Sequence, residues 1–194
     1  MVAAVDIGNT TAEIRAFSQR GFETFVFKKE TRSLSRSDFA GLPVFEAMMI
    51  SSVVDEANPL FIDYCREQGI PCFFPDQFTP GSIDFSAYQS KMGPDRVCSA
   101  LGAASEYPMP FCVVDMGTAT TVSVVGSNGK YEGGLIFPGV GTLLKSLPAF
   151  TSRLPEVALR EKPDALLGLN TEENIQRGVY LLAAQGLSGI VKRL

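Results

Sequence analysis

Short apolar runs ended by turn-forming residues open the chain and recur after position 110. Val2 to Val5 is apolar and stops at Asp6-Ile7-Gly8, and Phe111 to Val114 stops at Asp115-Met116-Gly117. A hydroxyl-rich turn follows each stop, Asn9-Thr10-Thr11 in one copy and Thr118-Ala119-Thr120-Thr121 in the other. Each copy then has a second run (Ala12 to Phe17; Thr121 to Val125) and a third (Phe22 to Phe27; Tyr131 to Phe137). Runs of this length, separated by Gln19-Arg20-Gly21 and Ser127-Asn128-Gly129, predict hairpin strands. Two like units of about 100 residues predict a duplicated domain with a cleft between the halves.

Between the copies, Ala47 to Ser51 predicts a strand. A helix is expected from Pro59 to Glu67, with Asn58 as N-cap and Gly69 as stop, then a strand from Ile70 to Phe74. A helix from Pro94 to Glu106 joins the halves. After the second copy, Pro138 to Ser152 predicts a loop and helix. Asn170-Thr171-Glu172-Glu173 opens a long helix with a capping hydroxyl and acids in its first turn. Ile175, Val179, Leu182, Ala183, Leu187, Ile190 and Leu194 recur at helical spacing, so that helix is expected to bury one face. The first half has strand, helix and strand after its hairpins, whereas the second stops inside a helix, as expected of either a truncated chain or a reduced copy.

Composition narrows the chemistry. The chain has 194 residues, 45% hydrophobic and 20% charged, with a net charge of −4, which excludes a disordered tail and disfavours nucleic acid as the main partner. Gly178 to Val191, which no other charge-free stretch exceeds, is shorter than the roughly 20 residues of a membrane helix. With no basic segment before the first apolar run, a soluble cytoplasmic protein without a membrane partner is expected. There is no histidine, so Ser-His-Asp and Cys-His nucleophile pairs and histidine-based zinc sites are impossible. Cys65, Cys72, Cys98 and Cys112 are far apart in sequence and read as reduced, small hydrophobic residues. Carboxylates, hydroxyls, amides, Arg, Lys and glycine-bearing turns remain, an inventory suited to phosphate and a divalent cation.

Three segments carry that chemistry. In the two Asp-x-Gly turns, Gly8 and Gly117 permit tight backbone geometry and bare N–H groups for an anion, with Asn9, Thr10 and Thr118 as further donors. Asp6, at a strand end, is placed to hold a hydrated Mg²⁺. Such residues equally suit an ordinary hairpin turn. Gly93-Pro94-Asp95-Arg96 is good helix-start chemistry, and it also offers Asp95 as general base with Arg96 for an anionic substrate group. Gly133 to Gly141, with four glycines, reads as a bending strand or as one wall of a ligand pocket. No G-x-x-x-x-G-K-[ST] run is present, which excludes a P-loop enzyme.

Six motifs then fall in one order. They are Asp6-x-Gly8-Asn9-Thr10, Ser51-Ser52-Val53-Val54, Gly93-x-Asp95-Arg96, Asp115-x-Gly117-Thr118-Ala119-x-Thr121, Gly133-Gly134-x-Ile136-x-Pro138-Gly139 and Asn170-Thr171. Together they resemble the type III pantothenate kinase family, of the acetate and sugar kinase/Hsp70/actin superfamily. The resemblance implies an α/β fold of duplicated ribonuclease H-like (actin-like ATPase) domains with mixed sheets. The halves would span residues 1–107 and 108–194, the second incomplete at its C-terminal end. It implies ATP-dependent phosphorylation of pantothenate to 4′-phosphopantothenate, on the way to coenzyme A, with Mg²⁺, K⁺ or NH₄⁺, in a homodimer. Asp6, Ile7, Gly8, Asn9, Thr10, Thr11, Ala12, Glu13 and Thr118 would bind ATP. Gly93, Pro94, Asp95, Arg96 and Thr171 would bind pantothenate, with Asp95 as proton acceptor. Asp115 would ligate the monovalent cation. Tyr88 lies two residues beyond the position of the family's substrate-contacting tyrosine. A nucleotide-binding regulatory relative without turnover, a sugar or small-alcohol kinase and a polyphosphate phosphatase are the alternatives.

Overall fold

The computed structural model describes residues 1–159 and 165–194. Backbone contacts divide the chain into two units, Met1–Val113 with Ser123–Gly133, and Val114–Val122 with Gly134–Leu194.

The first unit is built on a five-stranded sheet. Strands β1 (Val2–Ile7), β2 (Thr11–Phe17) and β3 (Glu23–Glu30) form the antiparallel meander, and β4 (Ala47–Ser52) and β5 (Cys72–Phe73) extend it in parallel. The order β3-β2-β1-β4-β5 makes a mixed sheet. Hairpin turns oblige the first three strands to run antiparallel, while a parallel neighbour needs a crossover, here helix α1 (Asn58–Gln68) between β4 and β5. Gly21 takes φ 78° in the β2–β3 turn, a conformation glycine adopts without a Cβ penalty.

Strict alternation sets the core. Ala3, Val5 and Ile7 are buried, and across the register Ile7 faces Ala12, Val5 faces Ile14, and Val5 faces Ile50. That face meets Phe39, Phe61 and Cys65 in one cluster, with Phe61 edge-on to Phe39 at 5.0 Å. The opposite face carries Ala4, Asp6, Glu13 and Ser51, and it holds the chemistry.

Two expectations for this half need correcting. Asn58 is not the N-cap but the first residue of α1, because a 3₁₀ turn (Asp55–Ala57) feeds straight into the helix. The strand expected from Ile70 to Phe74 shrinks to Cys72–Phe73. Ile70 donates its N–H to Cys65 in the helix exit, and Pro71, having no N–H, offers β4 only its carbonyl, to Met48.

Helix α2 (Pro94–Glu106) begins and ends as its sequence predicts, with Pro94 in the first turn. Its Val97 and Ala100 pack with Ile83, Phe85, Met92, Val125 and Tyr131 in a second core. Strands β6 (Phe111–Met116), β7 (Ala119–Val125) and β8 (Tyr131–Pro138) form a three-stranded sheet in that order.

The second unit adds α3 (Val140–Phe150) and α4 (Thr171–Val191), which pack through Leu144, Ile175 and Val179 together with Val157. The cap of α4 is the Asn170 amide oxygen, accepting from Glu173 N at 2.9 Å, rather than a hydroxyl. The long apolar stripe is only half used: Ile175 and Val179 are buried, but Leu182 is 61% exposed and Leu194 63%. No described helix is long and apolar enough to cross a membrane.

Candidate active site

The register of the first sheet lines up three side chains. Asp6 pairs with Glu13 on β2 and with Ser51 on β4, so Glu13, Asp6 and Ser51 form a row across the face opposite the core. Helix α2 contributes Asp95, Cys98 and Ser99 to the same place. These six, with Ala4, Met49 and Arg15, line a cavity of about 390 Å³ inside the first unit. Asp6 is exposed, Asp95 is half-buried and Ser51 is buried.

The row is electrostatically uneven. Glu13 is bonded to Arg15 and lies 3.1 Å from Lys28 Nζ, and the Arg15 hydrogen bond, then that of Lys28, holds its carboxyl below the usual range. Glu13 is therefore a neutralised anion. Cys98 feels the others: burial pushes its thiol up, the Ser51 hydroxyl pulls it down, and the charges of Asp6 and Asp95 push it up again. Cys98 and Ser51 are site residues that sequence reasoning did not single out for chemistry. Their signals were the helical step from Asp95 to Cys98 and the cross-strand match of Ser51 to Asp6.

Asp95 sits in the first turn of α2, where the helix dipole favours a negative charge. Its Oδ1 accepts from Arg96 N at 2.9 Å. A Cβ on Gly93 would overlap that same oxygen, which explains the glycine: it leaves room for the carboxylate rather than supplying an unusual φ.

Arg96, which the sequence offers for an anionic substrate group, is enclosed. It is only 7% exposed. Nη1 donates to Tyr88 Oη at 3.1 Å, Nη2 donates to Tyr131 Oη, and the guanidinium lies 5.3 Å and 5.8 Å from the two ring centroids. Burial works to lower its pKa, but the tyrosine oxygens outweigh that and hold it above the ordinary value. Its Nε is buried without a hydrogen-bond partner among the described residues. Tyr88 thus bonds the arginine in this state.

The two Asp-x-Gly turns are tighter in hydrogen bonding than expected. Gly8 N donates to Thr11 O and Gly117 N to Ala119 O, both at 3.0 Å, so neither amide is bare, and neither glycine has a positive φ. Thr31 Oγ1 secures the first turn on Gly8 O at 2.6 Å. Asn9 and Thr10 are exposed beyond it, whereas Ile7 and Ala12 are wholly buried core residues. Thr11 begins β2.

In the second unit, Thr118 O accepts from Gly139 N at 3.0 Å and from Thr142 Oγ1 at 2.5 Å. A Cβ on Gly139 would overlap Gly117 O, so the glycine-rich stretch seats this turn on the start of α3. Asp115 is exposed at the end of β6, and Thr171 is exposed as the first residue of α4. The structure therefore brings Asp6, Glu13 and Asp95 together in one unit, while Asp115, Thr118 and Thr171 belong to the other.

The fold is of the α/β class, built on a mixed five-stranded sheet with helices packed against it. Among solved structures, a conserved Campylobacter jejuni protein named for the Baf family of transcriptional activators is similar, with a TM-score of 0.59 at 20% identity over 98% of this chain and 78% of that one. A Sinorhizobium meliloti protein named as a 2-dehydro-3-deoxygalactonokinase gives 0.50 at 14% identity, over 78% and 57%. The type III pantothenate kinase family model matches residues 2–193. The type III pantothenate kinase of Hyphomonas neptunium is 36% identical over 212 residues, covering 100% of this chain and 82% of its own length. That of Desulfosudis oleivorans is 30% identical over 208 residues with the same coverage. The chain belongs to the type III pantothenate kinase family.

Proposed function

We propose that this chain transfers the γ-phosphoryl group of ATP to the primary hydroxyl of pantothenate, with Asp95 as the base, giving 4′-phosphopantothenate and ADP for coenzyme A synthesis. The observation that carries the reading is the shared cavity: Asp6 and Asp95 line the same 390 Å³ space.

Asp95 accepts the hydroxyl proton as the alcohol oxygen bonds to the γ-phosphorus, and the bond to the β–γ bridging oxygen breaks, with ADP leaving. A positioned base contributes about 10²–10⁴-fold. In phosphoryl transfer, positioning and charge neutralisation supply the rest, so a site without histidine is sufficient. Asn9 and Thr10, exposed at the first turn, are the proposed side-chain donors to the ATP phosphates, with Thr118 as a further contact. Ile7 and Ala12 contribute only by holding that turn.

No three His, Cys, Asp or Glu side chains converge as a metal cage among the described residues. Mg²⁺ bound with a nucleotide needs only one or two carboxylates beside water and phosphate oxygens, and Asp6 fits that demand. The ion would neutralise phosphate charge. Asp115 is the proposed ligand of the monovalent cation. Arg96, buried and without an acidic partner among the described residues, is the proposed counter-charge for the substrate's carboxylate, with Tyr88 holding its orientation and Thr171 as a further contact. A homodimer is the proposed assembly.

The test is a coupled ADP-release assay with pantothenate, with and without K⁺ or NH₄⁺. ADP release that depends on pantothenate and rises with the cation is expected. ADP release without any acceptor, or none under either condition, would overturn the proposal.

A further inference from the structure

The Ser51-Ser52 pair is a family-like motif that the mechanism leaves without a role, and the two serines are not alike. Ser52 Oγ donates to Val54 O and accepts from Val54 N, both at 3.2 Å, a closed local arrangement. Ser51 points the other way, as alternation along β4 requires. It is 7% exposed, and its Oγ is buried with no hydrogen-bond partner among the described residues. The Cys98 thiol lies close enough to feel that hydroxyl, yet the Oγ has no partner of ordinary hydrogen-bond geometry among the described residues. A buried hydroxyl left unsatisfied costs about 1–3 kcal/mol, which makes its place informative: it lines the cavity with Asp6 and Asp95.

Of the four buried unpartnered side-chain atoms described, Ser51 Oγ, Asn58 Oδ1, Arg96 Nε and Ser123 Oγ, only that of Ser51 belongs to a residue of this cavity's wall. Its cross-strand neighbour is Asp6, and the helix facing it carries Asp95. A serine hydroxyl both donates and accepts and rotates to suit, so it can turn to a group that enters the cavity.

We propose that Ser51 is an acceptor-recognition residue: its hydroxyl donates to the alcohol oxygen of the substrate whose proton Asp95 removes. The proposal rests on the reading of Asp95 as base. The alcohol's O–H points to Asp95, one lone pair to phosphorus and the other to Ser51. As the proton leaves, charge grows on the oxygen that Ser51 contacts, so the hydrogen bond strengthens along the reaction. Site polar groups that match a substrate hydroxyl also reject an analogue lacking it, so Ser51 selects for a substrate that carries this hydroxyl.

The deciding experiment compares dissociation constants, by calorimetry with a non-hydrolysable ATP analogue present, for pantothenate and for its analogue with hydrogen in place of the terminal hydroxyl. The wild type is expected to favour pantothenate. In Ser51→Ala that preference should fall about fivefold, and Ser51→Thr, which keeps a hydroxyl, should restore it. A purely structural serine would change both constants alike, and a ratio in Ser51→Ala within twofold of wild type overturns the proposal whatever happens to turnover. Pantothenate turnover by the wild type is measured in parallel. Its absence would overturn the kinase reading and this proposal together, whereas turnover with an unmoved ratio overturns this proposal alone.

Discussion

Gly93→Ala separates the position of the base from the stability of the fold. Gly93 caps α2 with φ −60° and ψ 133°, backbone that alanine adopts freely, so the substitution brings no conformational strain. Its Cβ would instead overlap Asp95 Oδ1, and the mobile partner in that overlap is the carboxylate itself. Turning it away gives up the 2.9 Å hydrogen bond from Arg96 N, about 1 kcal/mol. The stiffer unfolded chain of the alanine variant offsets about 0.4–1 kcal/mol of that. The balance is near zero, so the thermal midpoint should move by no more than about 4 °C. Catalysis is less forgiving, because a misplacement of about 1 Å at a reacting group costs roughly 10²-fold. Steady-state ADP release with pantothenate should therefore show kcat lower by about two orders of magnitude at an almost unchanged melting temperature. A variant with kcat within threefold of wild type would show that the Asp95 carboxylate need not occupy the space above Gly93.

Asp95→Asn should abolish most turnover, about 10²–10⁴-fold, while ATP binding measured by calorimetry persists; undiminished activity would refute its role as base. Asp38 is held below its ordinary value of 3.8 by Lys29 and by the Ser35 N–H. Its stabilisation is complete above the unfolded-state value and fades as pH falls through the lower folded one. Asp38→Asn should thus lower the urea midpoint at pH 7 and leave it nearly unchanged in strong acid, and equal losses at both would refute the linkage. Gly139→Ala would drive a Cβ into Gly117 O, backbone that cannot swing aside. It should destabilise by about 1–3 kcal/mol and raise the KM for ATP through the Thr118 turn, both read from thermal melts and initial rates.

Much of the first unit could be read from period and punctuation. Alternation at Ala3, Val5 and Ile7, the turn glycine at 21 and the Pro94 start of α2 act within a few residues of themselves, so local chemistry decides them. What failed depends on partners far along the chain. The strand predicted from Ile70 is displaced by a helix exit that uses Cys65 O. The apolar stripe of α4 continues through Leu182 to Leu194, yet no periodicity states where its buried part ends.

The site shows the same division. Asp6 and Asp95 were legible because each punctuates an element: a carboxylate at a strand end, a carboxylate in a helix's first turn. The surroundings of Arg96 were not legible, for a physical reason. Its neighbours in sequence, Asp95 and Val97, say nothing of Tyr88 and Tyr131, which fold over it and take both terminal nitrogens. A guanidinium so enclosed, with no carboxylate opposite it among the described residues, keeps its charge only because hydroxyl oxygens and ring faces offset its lost hydration. In the role proposed for it, such a group would complete its coordination with an anion at little reorganisation cost. An arginine free in water would first have to be immobilised, losing rotamer entropy on binding. The tyrosine enclosure thus fixes the charge of Arg96 in place, an arrangement its neighbours in sequence do not foretell.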